Sequence, residues 1–187
     1  DHQNREGYWS ATEFGADSTR GSAEKTGNAE FTKVCPADTG WEATCDIGLT
    51  GLALLAYTGI GADHKSGDYR LAVRQGVIYL RKVQGNDGCF GDKEDDWFVY
   101  NHAICTLALA EIYGLSGDAV LTPVIEKAVD FILKCQNPGL GWRYGVQPGN
   151  NDTSVTTWMV MALHAAKLAG IQVDSTKSYN DAAEWFQ

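Results

Sequence analysis

Two positions in this chain carry side chains that could transfer a proton at the start of a helix. His102 follows Asn101 at the beginning of an apolar helical pattern, and Asp152 stands directly before another. The N-terminus of a helix lowers the pKa of an imidazole, so His102 could act as a general acid or base. The alternative is structural, because buried histidines are commonly packed and Asp and Asn before a helix commonly cap it. Both interpretations stay open at this point.

A wider set of side chains is expected to share one rim with these two positions. Equivalent ends of stacked helices face the same way, so residues at the starts of the apolar helices should converge. A concave rim of aromatic and polar groups is the usual form of a ligand site, although three helix caps and a core tryptophan would share this pattern. The rim candidates are Asp46, His102, Arg143, Tyr144, Asp152 and Trp158.

An acidic segment at residues 92–96 is a further candidate for chemistry. Calcium needs several converging oxygens, typically from a D-x-D-x-D-G loop with a distal glutamate, and this segment lacks that spacing. A solvated acidic loop is therefore expected. Trp97, Phe98 and Tyr100 follow directly, so the same loop could bury aromatic side chains against the fold.

Overall composition excludes several classes of partner. The chain has 187 residues of which 44% are hydrophobic, enough for one domain with a core. Its net charge of −9 would repel nucleic acid and anionic membrane surfaces. No apolar run approaches the ~18 residues of a transmembrane helix, so no transmembrane segment is expected. The chain has no glycine-rich phosphate loop and no nucleophile elbow. We expect no cofactor.

Five cysteines do not decide the redox compartment or the cellular location. Cys35 and Cys45 flank a loop and could form a disulfide, or both could stay thiols, because connectivity cannot be read from sequence. Cys105 and Cys135 fall on apolar helix faces, where a thiol packs as a small hydrophobe.

A phrase of glutamine, a polar gap, glycine and a large aromatic residue occurs three times. We call each occurrence a Gln–aromatic phrase. Recurrence with this period is typical of stacked supersecondary units. The phrases contain Gln3, Gly7 and Trp9; Gln84, Gly88 and Phe90; and Gln136, Gly139 and Trp142.

Helical patterns of two kinds alternate along the chain. Apolar residues cover nearly every side of one kind, which predicts buried helices at residues 46–57, 101–113 and 153–169. A single apolar stripe marks the other kind, which predicts half-buried helices at residues 68–84, 122–136 and 178–187. Asp46, Asn101 and Asp152 fall at one position before the buried helices, where each should be an N-cap.

Alternation of buried and half-buried helices predicts two concentric layers. We expect one all-α repeat domain over residues 1–187, with a long loop at 10–45 and units at 46–100, 101–152 and 153–187. The register places a fourth glutamine at position 190, beyond the last residue. The chain is therefore expected to be a segment of a longer protein, or to pack its C-terminal helix beside its own N-terminal loop.

These phrases and helices resemble the repeats of the terpenoid cyclase and protein prenyltransferase superfamily. The match includes residues 74–80 leading into Gln84, residues 127–132 leading into Gln136, and the apolar helix that starts at Asp152. It resembles squalene-hopene-type cyclases most in that helix. The resemblance implies a partial α/α toroid of about three helical hairpins, in which the glutamine and aromatic side chains tie one helix end to the next repeat.

The chain departs from the catalytic signatures of that superfamily. The cyclases protonate an alkene with a D-x-D-D-T motif, and residues 149–153 read Gly-Asn-Asn-Asp-Thr with one aspartate left. Extra carboxylates strengthen the acid, so their loss weakens the case for cyclase chemistry. Prenyltransferases bind zinc through Asp, Cys and His, and Asp87, Cys89 and His164 are weak candidates for such a site. Asp87 and Gly88 also suit the turn of the phrase, which is the interpretation we favour.

Three functional hypotheses follow from the sequence. The first is a non-catalytic binding or interaction module whose partner is the rest of a larger polypeptide, another subunit or an apolar small molecule. The second is a cyclase-like or prenyltransferase-like enzyme on an apolar isoprenoid, with Asp152 or His102 as proton donor and Trp158, Met159 and Met161 lining a cavity. The third is carbohydrate-active chemistry, which α/α toroids also host.

Overall fold

The structure is a computed structural model that describes residues 2–12, 42–172 and 176–186. Within these residues it contains six α-helices, two short 3-10 turns and a single β-bridge, between Gln3 and Trp9. The helices are α1 (Asp46–Thr58), α2 (Arg70–Val83), α3 (Phe98–Ser116), α4 (Thr122–Cys135), α5 (Thr153–Leu168) and α6 (Thr176–Trp185). The 3-10 turns are Ala43–Cys45 and Ala119–Leu121. The predicted all-α fold is confirmed.

The predicted loop at residues 10–45 can be followed only at its ends. Residues 13–41 lie outside the described residues, and so does Cys35 of the possible disulfide. Cys45, at the end of the segment, is a free thiol.

The helices form two layers. The inner helices α1, α3 and α5 lie side by side with α3 in the middle, and α2, α4 and α6 each pack on the inner helix that precedes them. The outer helices α2 and α4 bury one stripe each, as their amphipathic patterns predict. Val73, Val77 and Leu80 form the buried stripe of α2. The architecture is a partial α/α toroid of three helical hairpins.

Burial of the inner helices differs from the prediction. Helix α3 is buried along most of its length because it has α1 on one flank, α5 on the other and α4 behind it. The prediction is wrong for α1 and α5, where Leu52 is 43% exposed, Met161 42% and Leu168 75%. An apolar sequence shows that a helix can be buried on all sides, but the number of neighbours decides whether it is.

The predicted N-caps behave in three different ways. Asp152 caps α5, because its carboxylate accepts the Val155 N–H at 2.9 Å. Asp46 is already the first residue of α1, and its carboxylate accepts the Ala11 N–H at 2.6 Å instead. The N-cap prediction is therefore wrong for Asp46, and it is also wrong for Asn101, which lies inside α3.

Asn101 stabilises the neighbouring helix rather than its own. Its Oδ1 accepts the N–H of Gly48 in the first turn of α1 at 3.1 Å, and its Nδ2 donates to the Thr44 carbonyl at 2.8 Å. Helix α3 starts three residues earlier than predicted, at Phe98, and this moves Asn101 to the face that meets α1. An amide suits this position because it accepts and donates at once.

Each Gln–aromatic phrase makes the same pair of hydrogen bonds. The Nε2 of the glutamine donates to a carbonyl four residues on, within its own loop, and to the carbonyl of the third residue of an outer helix. The bonds are Gln3 to Gly7 and Ala72 (2.8 and 2.9 Å), Gln84 to Gly88 and Val124 (3.1 and 2.9 Å), and Gln136 to Leu140 and Ser178 (2.8 and 2.9 Å).

Because each phrase docks on the outer helix that follows it, we infer that a structural unit begins at a phrase. The units then start at Gln3, Gln84 and Gln136 rather than at the inner helices. The first phrase binds α2 through Gln3, and its Tyr8 ring lies 5.0 Å from Tyr79 of α2. The alternative in which the C-terminal helix packs beside the N-terminal loop stays a prediction, because Gln3 would bind α2 in either arrangement.

Glycine is required in two phrases because the loop touches the outer helix. Gly7 and Gly88 have φ of +101° and +91°. A Cβ on Gly7 would lie 2.4 Å from the Gln75 carbonyl oxygen, and one on Gly88 would lie 2.1 Å from the Lys127 carbonyl oxygen. No L side chain fits at either position without moving backbone.

The third phrase places its glycine differently. Leu140 occupies the position that corresponds to Gly7, and Gly139 precedes it with φ +76° and no atom near its missing side chain. Pro138 and Gly139 are the central residues of a turn closed by the bond from Leu140 N–H to the Asn137 carbonyl, as a type II turn prefers. The predicted equivalence of Gly139 with Gly7 and Gly88 is therefore wrong.

Candidate functional site

His102 is enclosed within the scaffold. It is 0% exposed, its Nδ1 accepts the Phe90 N–H at 3.1 Å, and its Nε2 lies 3.0 Å from the Ala128 carbonyl, to which it donates. These bonds define a neutral imidazole protonated on Nε2. Burial lowers its pKa to about 4, with the Ala128 carbonyl opposing that shift. Both nitrogens are committed to backbone groups, so this geometry connects the second phrase to α3 and α4.

The position of His102 recurs in the other two units with a different residue. The N–H of Trp9 donates to Thr50 Oγ1 at 3.0 Å, and the N–H of Trp142 donates to Thr156 Oγ1 at 3.0 Å. His102 therefore stands where the other units have threonine. Thr50 and Thr156 lie four residues after Asp46 and Asp152, and His102 lies four residues after Phe98. The four-residue spacing from Asp46 to Thr50 and from Asp152 to Thr156 is visible in the sequence, but the matching residue before His102 is Phe98 and not the Asn101 of the predicted register.

Asp152 is held in place through both its side chain and its backbone N–H. Its carboxylate caps α5 through Val155, and its N–H donates to the Trp142 carbonyl at 2.8 Å. The preceding residues are amides committed to the loop: Asn137 Nδ2 donates to the Asn150 carbonyl at 2.6 Å and to Asn151 Oδ1 at 2.9 Å. Asp152 is half-buried.

A cluster of aromatic and hydroxyl side chains lies where α3 and α5 begin. We call Trp97, Tyr100, Arg143, Tyr144 and Ser154 the aromatic rim. The Tyr100 hydroxyl lies 3.4 Å from the Tyr144 hydroxyl and 3.2 Å from Ser154 Oγ. Ring centroids are 6.2 Å apart for Trp97 and Tyr100 and 6.0 Å apart for Tyr100 and Tyr144. The rim joins α3, α5 and the two loops that precede them.

A hydrogen bond and a nearby cation act on Tyr144 of the rim. The hydrogen bond to Tyr100, followed by partial burial, raises the pKa of Tyr144 to about 12, so its hydroxyl stays protonated. The Arg143 guanidinium carbon lies 5.5 Å from the centre of the Tyr144 ring, which is a cation–π contact.

The structure brings together only part of the predicted rim. Arg143 and Tyr144 belong to it, and half-buried Trp158 lies one helical turn beyond Ser154 on α5. Asp46 and His102 are engaged elsewhere, with Ala11 and with Phe90 and Ala128 respectively. The rim role of Trp97, Tyr100 and Ser154 was missed, although the aromatic run after the acidic segment was the available signal.

The three weak zinc candidates do not come together. His164 is exposed on α5, and Asp87 pairs with Lys93 beside the second phrase. Burial raises the pKa of the Cys89 thiol to about 12, which disfavours the thiolate that zinc requires. Over residues 2–12, 42–172 and 176–186, no group of three His, Cys, Asp or Glu side chains is arranged to hold a metal ion.

The opposite ends of the inner helices carry a second set of contacts. His64 Nε2 lies 2.7 Å from Asp118 Oδ2, and Lys65 donates to the Ser116 carbonyl at 3.0 Å, so the α1–α2 loop is fastened to the α3–α4 loop. A shallow groove between the ends of α3 and α5 is lined mainly by small residues, including Ala110, Gly114 and Ala165.

In the described part of the chain, no helix combines the length and apolarity needed to cross a membrane.

Comparison with known families matches residues 1–179 to the squalene-hopene cyclase C-terminal domain. Comparison with curated proteins and with solved structures gave no match. The matched segment includes all three Gln–aromatic phrases and all inner helices, so it spans the geometry described above. From the hydrogen bonds repeated in the three Gln–aromatic phrases, the two helical layers and this match, we conclude that the chain belongs to the squalene-hopene cyclase C-terminal domain family.

Proposed function

We propose that this chain is a non-catalytic binding module built from squalene-hopene cyclase-type repeats, and that its ligand contacts the aromatic rim. The observation that carries the proposal is the engagement of both candidate proton donors in the scaffold. Asp152 caps α5, and His102 bridges Phe90 to Ala128. A larger polypeptide or another subunit would supply the partner surface for the exposed apolar side chains of α1 and α5.

The surroundings of Asp152 support this proposal. Protonation of an alkene needs an unusually strong acid, which cyclases obtain from neighbouring carboxylates. Here the neighbouring side chains are Asn150 and Asn151, and Asn151 is bonded to Asn137.

The side chains expected to line an isoprenoid cavity face different environments. Met159 is 0% exposed in the core, Met161 is 42% exposed, and Trp158 is half-buried. Residues two apart on a helix point about 200° apart, so Met159 and Met161 cannot line one surface. This arrangement favours a binding module over an enzyme with that cavity.

Replacement of Asp152 by asparagine tests the proposal. Asparagine caps a helix as well as aspartate does, so Asp152→Asn should leave the melting temperature nearly unchanged, whereas Asp152→Ala should cost about 1 kcal/mol of stability. Incubation of the purified chain with squalene in detergent should yield no cyclised product for wild type or variant. Cyclised product from wild type that disappears in Asp152→Asn at unchanged melting temperature would overturn the proposal in favour of an enzyme.

A further inference from the structure

We propose that the aromatic rim binds a neutral carbohydrate; this inference rests on the rim being the binding surface of the module. The rim combines an exposed indole, three hydroxyl groups and one guanidinium, which come from the starts of α3 and α5 and from the loops before them.

The hydroxyl line requires a ligand that both donates and accepts hydrogen bonds. Tyr144, Tyr100 and Ser154 carry three hydroxyl hydrogens, and the two contacts between them use two. The line therefore presents one further donor together with several acceptor lone pairs. Sugar hydroxyls match this mixed character, because each of them also donates one bond and accepts two.

The indole of Trp97 supplies a flat apolar surface beside that line. It is 50% exposed, although its backbone N–H is held by Asp95 Oδ1 at 3.0 Å and its ring packs at an angle on Tyr100. An exposed indole has a polarizable face and an apolar body. The axial C–H groups of a pyranose ring can cover such a face while the ring hydroxyls remain free for the Tyr and Ser oxygens.

The polar groups of the rim disfavour an isoprenoid. A purely apolar chain laid across the rim would remove water from Tyr100, Tyr144, Ser154 and the Arg143 guanidinium and replace none of those hydrogen bonds. Burying a polar group without a new partner is unfavourable. A carbohydrate replaces the displaced water with its own hydroxyls.

Charge selects a neutral sugar over an acidic one. Asp92, Glu94, Asp95 and Asp96 precede Trp97, and the whole chain carries a net charge of −9. Arg143 is the cation of the rim, its guanidinium carbon lies 5.5 Å from the centre of the Tyr144 ring, and its N–H groups can donate to sugar oxygens. Carboxylated or sulfated sugars would be repelled by the acidic segment.

The loop that carries Arg143 and Tyr144 is held in place before any ligand arrives. Asn137 binds it at two points, accepting the Gly149 N–H at 2.8 Å and donating to the Asn150 carbonyl at 2.6 Å. Gln147 N–H donates to the Cys135 carbonyl at 3.1 Å. A rim fixed in this way loses little conformational freedom when it binds.

Titration with neutral hexasaccharides tests the inference. Cellohexaose, maltohexaose and hexa-N-acetylchitohexaose are added to the purified chain while tryptophan fluorescence and amide chemical shifts are followed. We expect at least one to bind with millimolar affinity or better and to shift signals of the rim. Trp97→Ala should weaken that binding ~10-fold or more, and Tyr100→Phe should weaken it measurably.

Ile60→Ala is the matched control, because Ile60 is a 66% exposed apolar residue in the α1–α2 loop, away from the rim. Its affinity should equal that of wild type. The inference is overturned if none of the three sugars binds up to ~10 mM, or if binding survives Trp97→Ala unchanged. Circular dichroism on each variant confirms that the helices are retained.

A parallel titration with farnesol in detergent micelles separates this inference from the proposed function. Rim signals that move with farnesol and not with any sugar would overturn the carbohydrate class and leave the binding module standing. Cyclised product from squalene would overturn the proposed function itself. Sugar binding lost in Trp97→Ala, together with no response to farnesol, supports both.

Discussion

The side-chain amide of Gln136 donates a 2.9 Å hydrogen bond to the carbonyl of Ser178, 42 residues further along the chain. The same amide donates to the Leu140 carbonyl of its own loop at 2.8 Å. Both hydrogens of one NH₂ group thus connect a tight loop to the first turn of α6. Gln84 repeats the arrangement with Gly88 and Val124. We call this pair of hydrogen bonds the glutamine clamp, and it connects neighbouring hairpins.

Because the clamp depends on donors, a carboxylate of the same shape should break it. We expect Gln84→Glu to lower the free energy of unfolding by about 3 kcal/mol, since two carbonyls lose their donor and face a negative charge. Gln75→Glu, on the exposed face of α2, should change it by less than about 0.5 kcal/mol. Urea denaturation of both variants checks this, and equal losses would contradict the clamp.

Burial of His102 makes stability depend on pH. Its pKa is about 4 in the folded chain against an ordinary value of 6.5, so only the unfolded chain takes up this proton between those values. Stability should be full above pH 6.5 and fall by about 3 kcal/mol as the pH drops to 4.

The non-titrating variant His102→Gln isolates this contribution from that of the carboxylates. A glutamine can accept from Phe90 and donate to Ala128, as the imidazole does, without gaining a charge. Urea denaturation at pH 7 and pH 4.5 should therefore show a smaller loss for His102→Gln than for wild type. Identical losses would mean that His102 does not titrate in this range.

Contact between the second phrase and α4 predicts a large effect of one methyl group. Gly88→Ala combines a left-handed φ with a Cβ 2.1 Å from the Lys127 carbonyl oxygen, so we expect a loss of about 3 kcal/mol or more. Gly61→Ala has a similar φ of +75° but open space, and should cost only about 1 kcal/mol. Thermal unfolding of the pair measures the difference, and matching melting temperatures would refute the contact.

The long segment between the first phrase and α1 has its ends tied together. Ala11 N–H donates to Asp46 Oδ1 at 2.6 Å, and the bond from Trp9 to Thr50 spans 41 residues, whereas the equivalent bonds span 12 and 14. These bonds hold the two ends of the segment side by side.

Some of this architecture could be predicted from the sequence because it is local. Helical periodicity located all six helices, and the cap at Asp152 follows from a side chain and an N–H three residues apart. The phrases predicted a repeat because each contains its own turn. The predicted start of α3 was wrong by three residues. Phe98, Val99 and Tyr100 carry no capping signal, and the loop before them decides where the helix begins.

The resemblance implied that glutamine ties one helix end to the next repeat, but the carbonyl that each glutamine binds lies 40 or more residues away and could not be predicted. The sequence by itself determined an all-α repeat with alternating apolar and amphipathic helices, since periodicity and turn chemistry are properties of short segments. Only the tertiary structure decided that Asn101 caps α1, that His102 replaces a threonine, and that Trp97 and Tyr100 join Tyr144 in one rim. Those roles are set by which helices become neighbours, and neighbours are chosen by packing of the whole chain rather than by any one segment.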